Sequence, residues 1–180
     1  NDSENSKING SHQNANAGET VLLSSDGLTL VFGETRYEND NGDIIGCVKI
    51  YKWNNSSWVF EKQIDGEIPG SYFGTNISLS SNGQVLALGD HYYNSFDGNV
   101  KIYAKRENDW VIIGDLSDNS QPGIRFGSNV AINNSGTILA IGASSRSTDS
   151  DLINAGMVRV YQYVTDNSWV ALGDDFYGTY

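Results

Sequence analysis

The sequence predicts an all-β fold built from a four-stranded unit repeated three times, and three observations predict it. Five landmarks recur in the same order three times along the 180 residues. The apolar runs are short, rich in β-branched and aromatic residues, and no window shows a convincing helical period. Turn-forming Asp-Gly, Asn-Gly and Ser-Gly pairs separate the first two runs of every unit.

The landmarks set the organisation. The first unit runs through Gly18, the turn Gly27, Gly33, Gly46 to Tyr51 and Trp58; the second through Phe73-Gly74, Gly83, Gly89, Gly98 to Tyr103 and Trp110; the third through Phe126-Gly127, Gly136, Gly142, Gly156 to Tyr161 and Trp169. The turn glycines stand 56 and 53 residues apart, the tryptophans 52 and 59. Residues 1–16, polar and rich in Asn, read as a flexible arm, and the units occupy 17–70, 71–123 and 124–180, the last with the start of a further linker.

Within the second unit each strand has its own signature. Residues 75–80 alternate apolar and polar side chains, as a half-buried strand does, and Ser81-Asn82-Gly83 follows as a tight hairpin turn. Residues 84–89 are almost wholly apolar, the pattern of a strand covered on both faces. Asn99–Tyr103 alternates again, and Trp110–Ile113 makes the fourth strand. Four strands in a repeat of this length is the arithmetic of a β-propeller blade, a unit that buries its apolar face only against neighbours.

These residues resemble the FG-GAP type of β-propeller repeat found in integrin α-chains. The resemblance rests on Phe73-Gly74 and Phe126-Gly127, on the Leu-Ala-Leu-Gly89-Asp and Leu-Ala-Ile-Gly142-Ala strands, and on Gly-x-Val-(Lys/Arg)-(Ile/Val)-Tyr. It covers about residues 17–178, and the first unit departs from it with Ala17 in place of Phe. Repeats of that type often carry an Asp-rich calcium loop between the first two strands. Here that loop is cut to Ser24–Gly27, Ser80–Gly83 and Asn133–Gly136, too few carboxylates for the six to eight oxygens Ca²⁺ takes, so no calcium site is carried over.

Composition bounds the partners. Eleven Lys+Arg against 22 Asp+Glu give a net charge of −11, which argues against a nucleic-acid backbone and an anionic membrane surface. No apolar run reaches the length of a membrane span, and the start lacks the apolar stretch of a signal peptide. Propellers have four to eight blades, and three blades leave two apolar faces open. Either two copies pair into a six-bladed ring, or the segment belongs to a longer repeat array, the reading the stop in mid-unit favours.

Little in the sequence asks for bond-making chemistry. Cys47 stands where the other units have Asn99 and Met157 and reads as a strand residue; His12 and His91 have no Ser or Cys at a recognisable spacing. The sequence therefore predicts no enzyme, no catalytic residue and no cofactor. The loops between second and third strands, Glu34–Ile45, Asp90–Asp97 and Ala143–Ala155, vary in length between matched strands and would gather on one rim. Their aromatic and acidic residues suit a carbohydrate or protein ligand, with Tyr37, Asp90, Tyr92, Tyr93, Phe96 and Asp97 as candidate binding residues, Arg146, Asp149 and Asp151 in the third loop, or they are solvated hairpin loops. Glu38, Asp40 and Asp43 could together hold a loose cation such as Ca²⁺. Trp58, Trp110 and Trp169 read as packing residues between blades, and Trp53 as an exposed one. Several Asn-x-Ser sequons, Asn76 among them, would suit an exported glycoprotein. The expectation that follows is a non-enzymatic extracellular or surface binding and adhesion module. The alternatives are a structural repeat protein assembling through its blade edges into a filament, coat or virion surface, and a polysaccharide hydrolase.

Overall fold

The computed structural model describes residues 7–147 and 154–178. Asp149 and Asp151 of the third variable loop lie outside them. The chain forms three antiparallel sheets, each in chain order. The first contains β1 (Ala17–Leu23), β2 (Thr29–Glu34), β3 (Cys47–Trp53) and β4 (Trp58–Asp65). The second contains β5 (Asn76–Leu79), β6 (Val85–Asp90), β7 (Asn99–Arg106) and β8 (Asp109–Leu116). The third contains β9 (Phe126–Ile132), β10 (Ile138–Ala143), β11 (Met157–Tyr163) and β12 (Trp169–Ala171), with β13 (Phe176–Tyr177) pairing on β11 beyond β12. The all-β expectation and its three four-stranded units hold. No helix among the described residues is long and apolar enough to cross a membrane.

The turns repeat in atomic detail. Gly27, Gly83 and Gly136 each adopt a left-handed φ, near +71°, +64° and +74°, and each N–H closes on the carbonyl three residues earlier at 2.9–3.0 Å. The tips also bond to one another: Ser25 N–H donates to Ser81 O at 2.8 Å, and Ser81 N–H to Asn134 O at 3.1 Å.

The sheets stack face to face in chain order through two apolar seams. In the first seam Val31, Val48, Ile50 and Ile64 of the first sheet meet Leu86, Leu88 and Trp110 of the second, with Phe73 beside them. In the second, Ala87, Val100, Ile102 and Ile113 of the second sheet meet Phe126, Leu139, Ile141 and Trp169 of the third. Trp110 and Trp169 thus each reach back to the sheet before their own. Trp110 Nε1 donates to Glu61 Oε2 and Trp169 Nε1 to Ile113 O, both at 2.9 Å. The ring fills the seam while its one polar atom is satisfied, as a buried indole requires. Trp58, in the first of the described sheets, is half-buried against Trp53, ring centroids 5.5 Å apart. Trp53 is 37% exposed.

Two glycines set the spacing of the stack. A Cβ on Gly33 would stand 2.1 Å from Gly74 O, and one on Gly89 would stand 2.2 Å from Gly127 O. The glycine ending each apolar second strand is therefore the slot through which the Phe-Gly backbone of the next unit passes. Paired charges cross the same junctions: Glu67, in the linker after the first sheet, pairs with Lys101, and Asp118, in the linker after the second, with Arg159 at 3.2 Å. In the first sheet the corresponding lysine, Lys49, donates to Ser11 Oγ at 2.6 Å and pairs with buried Glu34 at 2.7 Å.

Candidate functional site

Beyond Asp90 the chain leaves β6 and turns back through a strained segment. Asn94, Ser95 and Phe96 hold φ of 48°, 61° and 73° in succession. Left-handed backbone costs an L-residue about 1–2 kcal/mol, so three in a row persist only where the surroundings over-determine them. Here the linker before the third sheet does so. Arg125 N–H donates to Phe96 O at 2.8 Å, Phe126 N–H to Asp97 O at 3.0 Å and Gly123 N–H to Asp97 Oδ1 at 2.8 Å, while Asn94 Nδ2 donates to Asp97 Oδ2 at 2.8 Å. The Arg125 guanidinium lies over the Phe96 ring, 5.2 Å from its centroid.

This turn holds one wall of a cleft of about 390 Å³ between the first and second sheets. Glu19, Thr35 and Arg36 line it from the first sheet, and Tyr72, His91 and Tyr92 from the second. His91 and Tyr92 lie ring to ring at 4.1 Å, and Tyr92 also meets Tyr72 at 5.8 Å and Phe96 at 5.3 Å. Asn76 Nδ2 donates to His91 Nδ1 at 3.0 Å, so the neutral ring carries its proton on Nε2. Burial, and then the Arg125 charge, hold the His91 pKa below its ordinary value, which keeps the ring neutral at pH 7. Opposite, the Thr35 hydroxyl donates to Glu19 Oε2, orienting that carboxylate. The arrangement joins a carboxylate, a guanidinium and a neutral imidazole donor in one polar recess rimmed by aromatic rings.

Asp90 lies behind this wall, 6% exposed, its Oδ1 without a hydrogen-bond partner among the described residues. Burial pushes its pKa up to about 6, against the pull of the Ser71 hydroxyl, the Tyr92 and Tyr93 N–H groups and Lys101.

The residues singled out in the sequence separate into three places. Tyr92 and Phe96 belong to the aromatic rim of this cleft. Tyr93 and Asp97 line a second, more polar recess with Asn94 and Asp115. Tyr37 sits in the first sheet's own loop, its carbonyl accepting from Ile45 and Gly46 N–H at 2.9 and 3.1 Å. Glu38, Asp40 and Asp43 do not converge: among the described residues no three His, Cys, Asp or Glu side chains form a group that could hold a metal ion. Asn39 Oδ1 instead accepts from Asn41 and Asp43 N–H at 3.0 Å, closing a loop held by its own backbone. Glu19, Arg36, Tyr72 and His91 carry no short motif, and only the stacking of two sheets brings them together.

No family model and no curated protein sequence matches the chain. Among solved structures it is similar to a protein of Bacteroides uniformis described as "a putative 6-phosphogluconolactonase", with a TM-score of 0.57 and 14% identity over 87% of this chain. The chain spans 39% of that protein's length. At this identity the likeness is one of fold. It nonetheless corrects the expectation of a non-enzymatic adhesion module: the shared fold is that of a chain described as an enzyme. The physical reason is that function resides in the groups a scaffold presents, and the absence of a Ser–His or Cys–His spacing in the sequence excluded only one kind of chemistry.

Proposed function

We propose that the three sheets are β-propeller blades of the FG-GAP-like kind. We propose further that the cleft between the first two hydrolyses an ester or lactone of a polar, sugar-derived small molecule. The observation that carries the chemical reading is His91: a neutral imidazole whose Nδ1 is tied to Asn76, leaving an Nε2–H donor in a recess shared with Arg36 and Glu19. A donor of this kind stabilises the negative charge that develops on a carbonyl oxygen under attack. Glu19 is the group to take a proton from the attacking water. The C–O bond to the leaving alkoxide then breaks, and that oxygen takes the proton back from Glu19. Arg36 suits an anionic group on the substrate, such as a sugar phosphate, and Tyr72 and Tyr92 offer ring faces to the sugar carbons. The likeness to a chain described as a lactonase supports the same substrate class.

The test is ring opening of δ-gluconolactone and its 6-phosphate, followed by proton release above the spontaneous rate. The intact protein is expected to accelerate it, Glu19→Gln to lose about a hundredfold or more in kcat, in line with the usual size of general-base catalysis, and Arg36→Ala to raise KM for the phosphorylated lactone alone. A folded protein that does not accelerate either lactone, or a Glu19→Gln variant of undiminished rate, overturns the reading.

A further inference from the structure

The second strands of the first two sheets each end on a buried acid, Glu34 and Asp90. Glu34 faces Cys47 across the sheet, with Lys49 two places further along β3; Asp90 faces Asn99, with Lys101 two places further along β7. Side chains two apart on a strand share a face, so acid and lysine lie on the same diagonal in both sheets. In the first sheet the diagonal is closed, with Lys49 Nζ 2.7 Å from Glu34 Oε1. In the second it is open: Lys101 pairs with Glu67 of the linker, and Asp90 Oδ1 has no hydrogen-bond partner among the described residues. Asp90 is one methylene shorter than Glu34, so the same ammonium has further to reach. The contact that keeps it away is a weak one. The Glu67 side chain is 57% exposed and that of Lys101 13%, and a pair open to water on one side is screened.

Asp90 also touches both sides of the cleft. Burial pushes its pKa up to about 6, while the Ser71 hydroxyl, next to Tyr72, and the Tyr92 and Tyr93 N–H groups, next to His91, favour its ionised form, as does the Lys101 charge. The other charged or titratable groups around it are Glu67 of the linker, His91 of the loop and Asp115 of β8, which accepts from Asn99 Nδ2 at 2.6 Å. The first sheet brings Val48 and Ile64 to this seam.

We infer that Asp90 is a positioning residue of the cleft and that Lys101 is its exchangeable counter-ion. When Asp90 is ionised, Lys101 leaves Glu67 for the place Lys49 holds on Glu34, and the carboxylate fixes the Tyr92 and Tyr93 amides that flank the His91 wall. When Asp90 takes up a proton, Lys101 rests on Glu67 and the hold on the loop loosens. The first sheet shows one arrangement of the lysine and the second shows the other. In its effect on turnover the inference rests on the hydrolase reading of the cleft; the exchange itself is read without substrate.

The test is a pH titration followed by NMR, reading side-chain carboxyl carbons, the Lys101 ammonium and the Tyr92 and Tyr93 amides. In the parent all are expected to share one midpoint near 6. Glu67→Gln, which releases Lys101, is expected to lower the Asp90 midpoint by about one unit, the low end of what a neighbouring opposite charge does. Lys101→Met is expected to raise it. In the Lys101→Met background Glu67→Gln is expected to have no further effect, which separates exchange from bare loss of the Glu67 charge. Asp90→Glu restores the reach of Glu34 and is expected to abolish the step near pH 6. A midpoint that Glu67→Gln leaves in place, an equal shift with and without Lys101, or amides that do not follow Asp90 overturns the inference. Lactone turnover is then expected to rise with pH through the same midpoint in the parent and to lose that step in Asp90→Asn. A protein that shows the exchange and opens no lactone overturns the hydrolase reading alone, and one that opens lactones without the exchange overturns this inference alone.

Discussion

Asp90 stands where Glu34 stands one sheet earlier, and the two buried acids are met differently. Glu34 receives the ammonium of Lys49 at 2.7 Å, while Lys101, the counterpart of Lys49, turns to Glu67 in the linker. The same strand end is neutralised in the first sheet and left short of a partner in the second, beside the cleft. Buried charge without a full complement is a common mark of a site kept for chemistry rather than stability.

Removing Lys49 tests how firmly the first sheet depends on its pair. Lys49→Met leaves Glu34, wholly buried, with only the Ser11 N–H at 3.1 Å among the described residues. Losing one partner of a buried pair costs about 3–5 kcal/mol, and replacing both by apolar residues of similar volume is close to neutral. Urea unfolding is therefore expected to show a large loss for Lys49→Met and its recovery in the Lys49→Met, Glu34→Leu double variant. Equal losses in both would show that the pair acts through packing alone.

Asp90 carries a pH dependence of definite sign. Its folded pKa of about 6 lies above the ordinary 3.8, so the folded state binds the proton more tightly than the unfolded chain. The stability this gives is fully present below about pH 4 and lost as the pH rises through about 6. Asp90→Asn removes the titration, and at pH 7.5 it is expected to stabilise by about 1–3 kcal/mol, since a tenfold change in proton affinity corresponds to about 1.4 kcal/mol before solvent screening. Melting followed at pH 5 and pH 7.5 checks it, the parent losing more than the variant between the two. A variant less stable than the parent at pH 7.5 would contradict the argument.

The slot glycines make a matched pair. Gly89→Ala drives a methyl to 2.2 Å from Gly127 O, against backbone that cannot rotate away, whereas Gly142→Ala meets nothing within 3.6 Å. Neither residue has a left-handed φ, so the contrast isolates crowding. Overpacking of this kind costs about 1–3 kcal/mol. Gly89→Ala is expected to lose at least about 2 kcal/mol in chemical unfolding, and Gly142→Ala almost nothing.

Much of the fold is legible in the sequence because its determinants are local. Each hairpin turn, each slot glycine and each Trp-Val pair lies within one short stretch, and repetition shows which features matter. Trp110 and Trp169 can be read as packing residues because a strict strand position followed by Val leaves the indole one face to occupy. The cleft is not legible for the opposite reason. Glu19, Arg36, Tyr72 and His91 come from four separated segments of two sheets, and their convergence depends on how the sheets stack. Tyr72 precedes Phe73 and reads as linker; His91 has no Ser or Cys at a motif spacing, and its partners are instead Asn76 and an aromatic rim. Tyr92 and Phe96 stand out because the variable loop concentrates aromatics, a signal that survives without knowledge of the stack.

Cys47 supplies a probe of the whole first seam. It is wholly buried, and burial, reinforced by the Glu34 charge, pushes its thiol up to about 12. Thiolate is the reactive form, so at pH 8 the folded protein presents almost none. Ellman's reagent is expected to leave the native protein unlabelled over hours and to titrate one thiol per chain as soon as urea unfolds it. Because Cys47 pairs with Asp65 across β3 and β4 and its carbonyl lies 2.6 Å from where a side chain on Gly74 would begin, exposure of the thiol requires the second sheet to come away from the first. Labelling in Lys49→Met at urea concentrations where the fluorescence of Trp169, the tryptophan of the second seam read with the other three replaced by Phe, is still native would show the first seam opening ahead of the second. Simultaneous labelling and fluorescence loss would show instead that the two seams unfold as one unit.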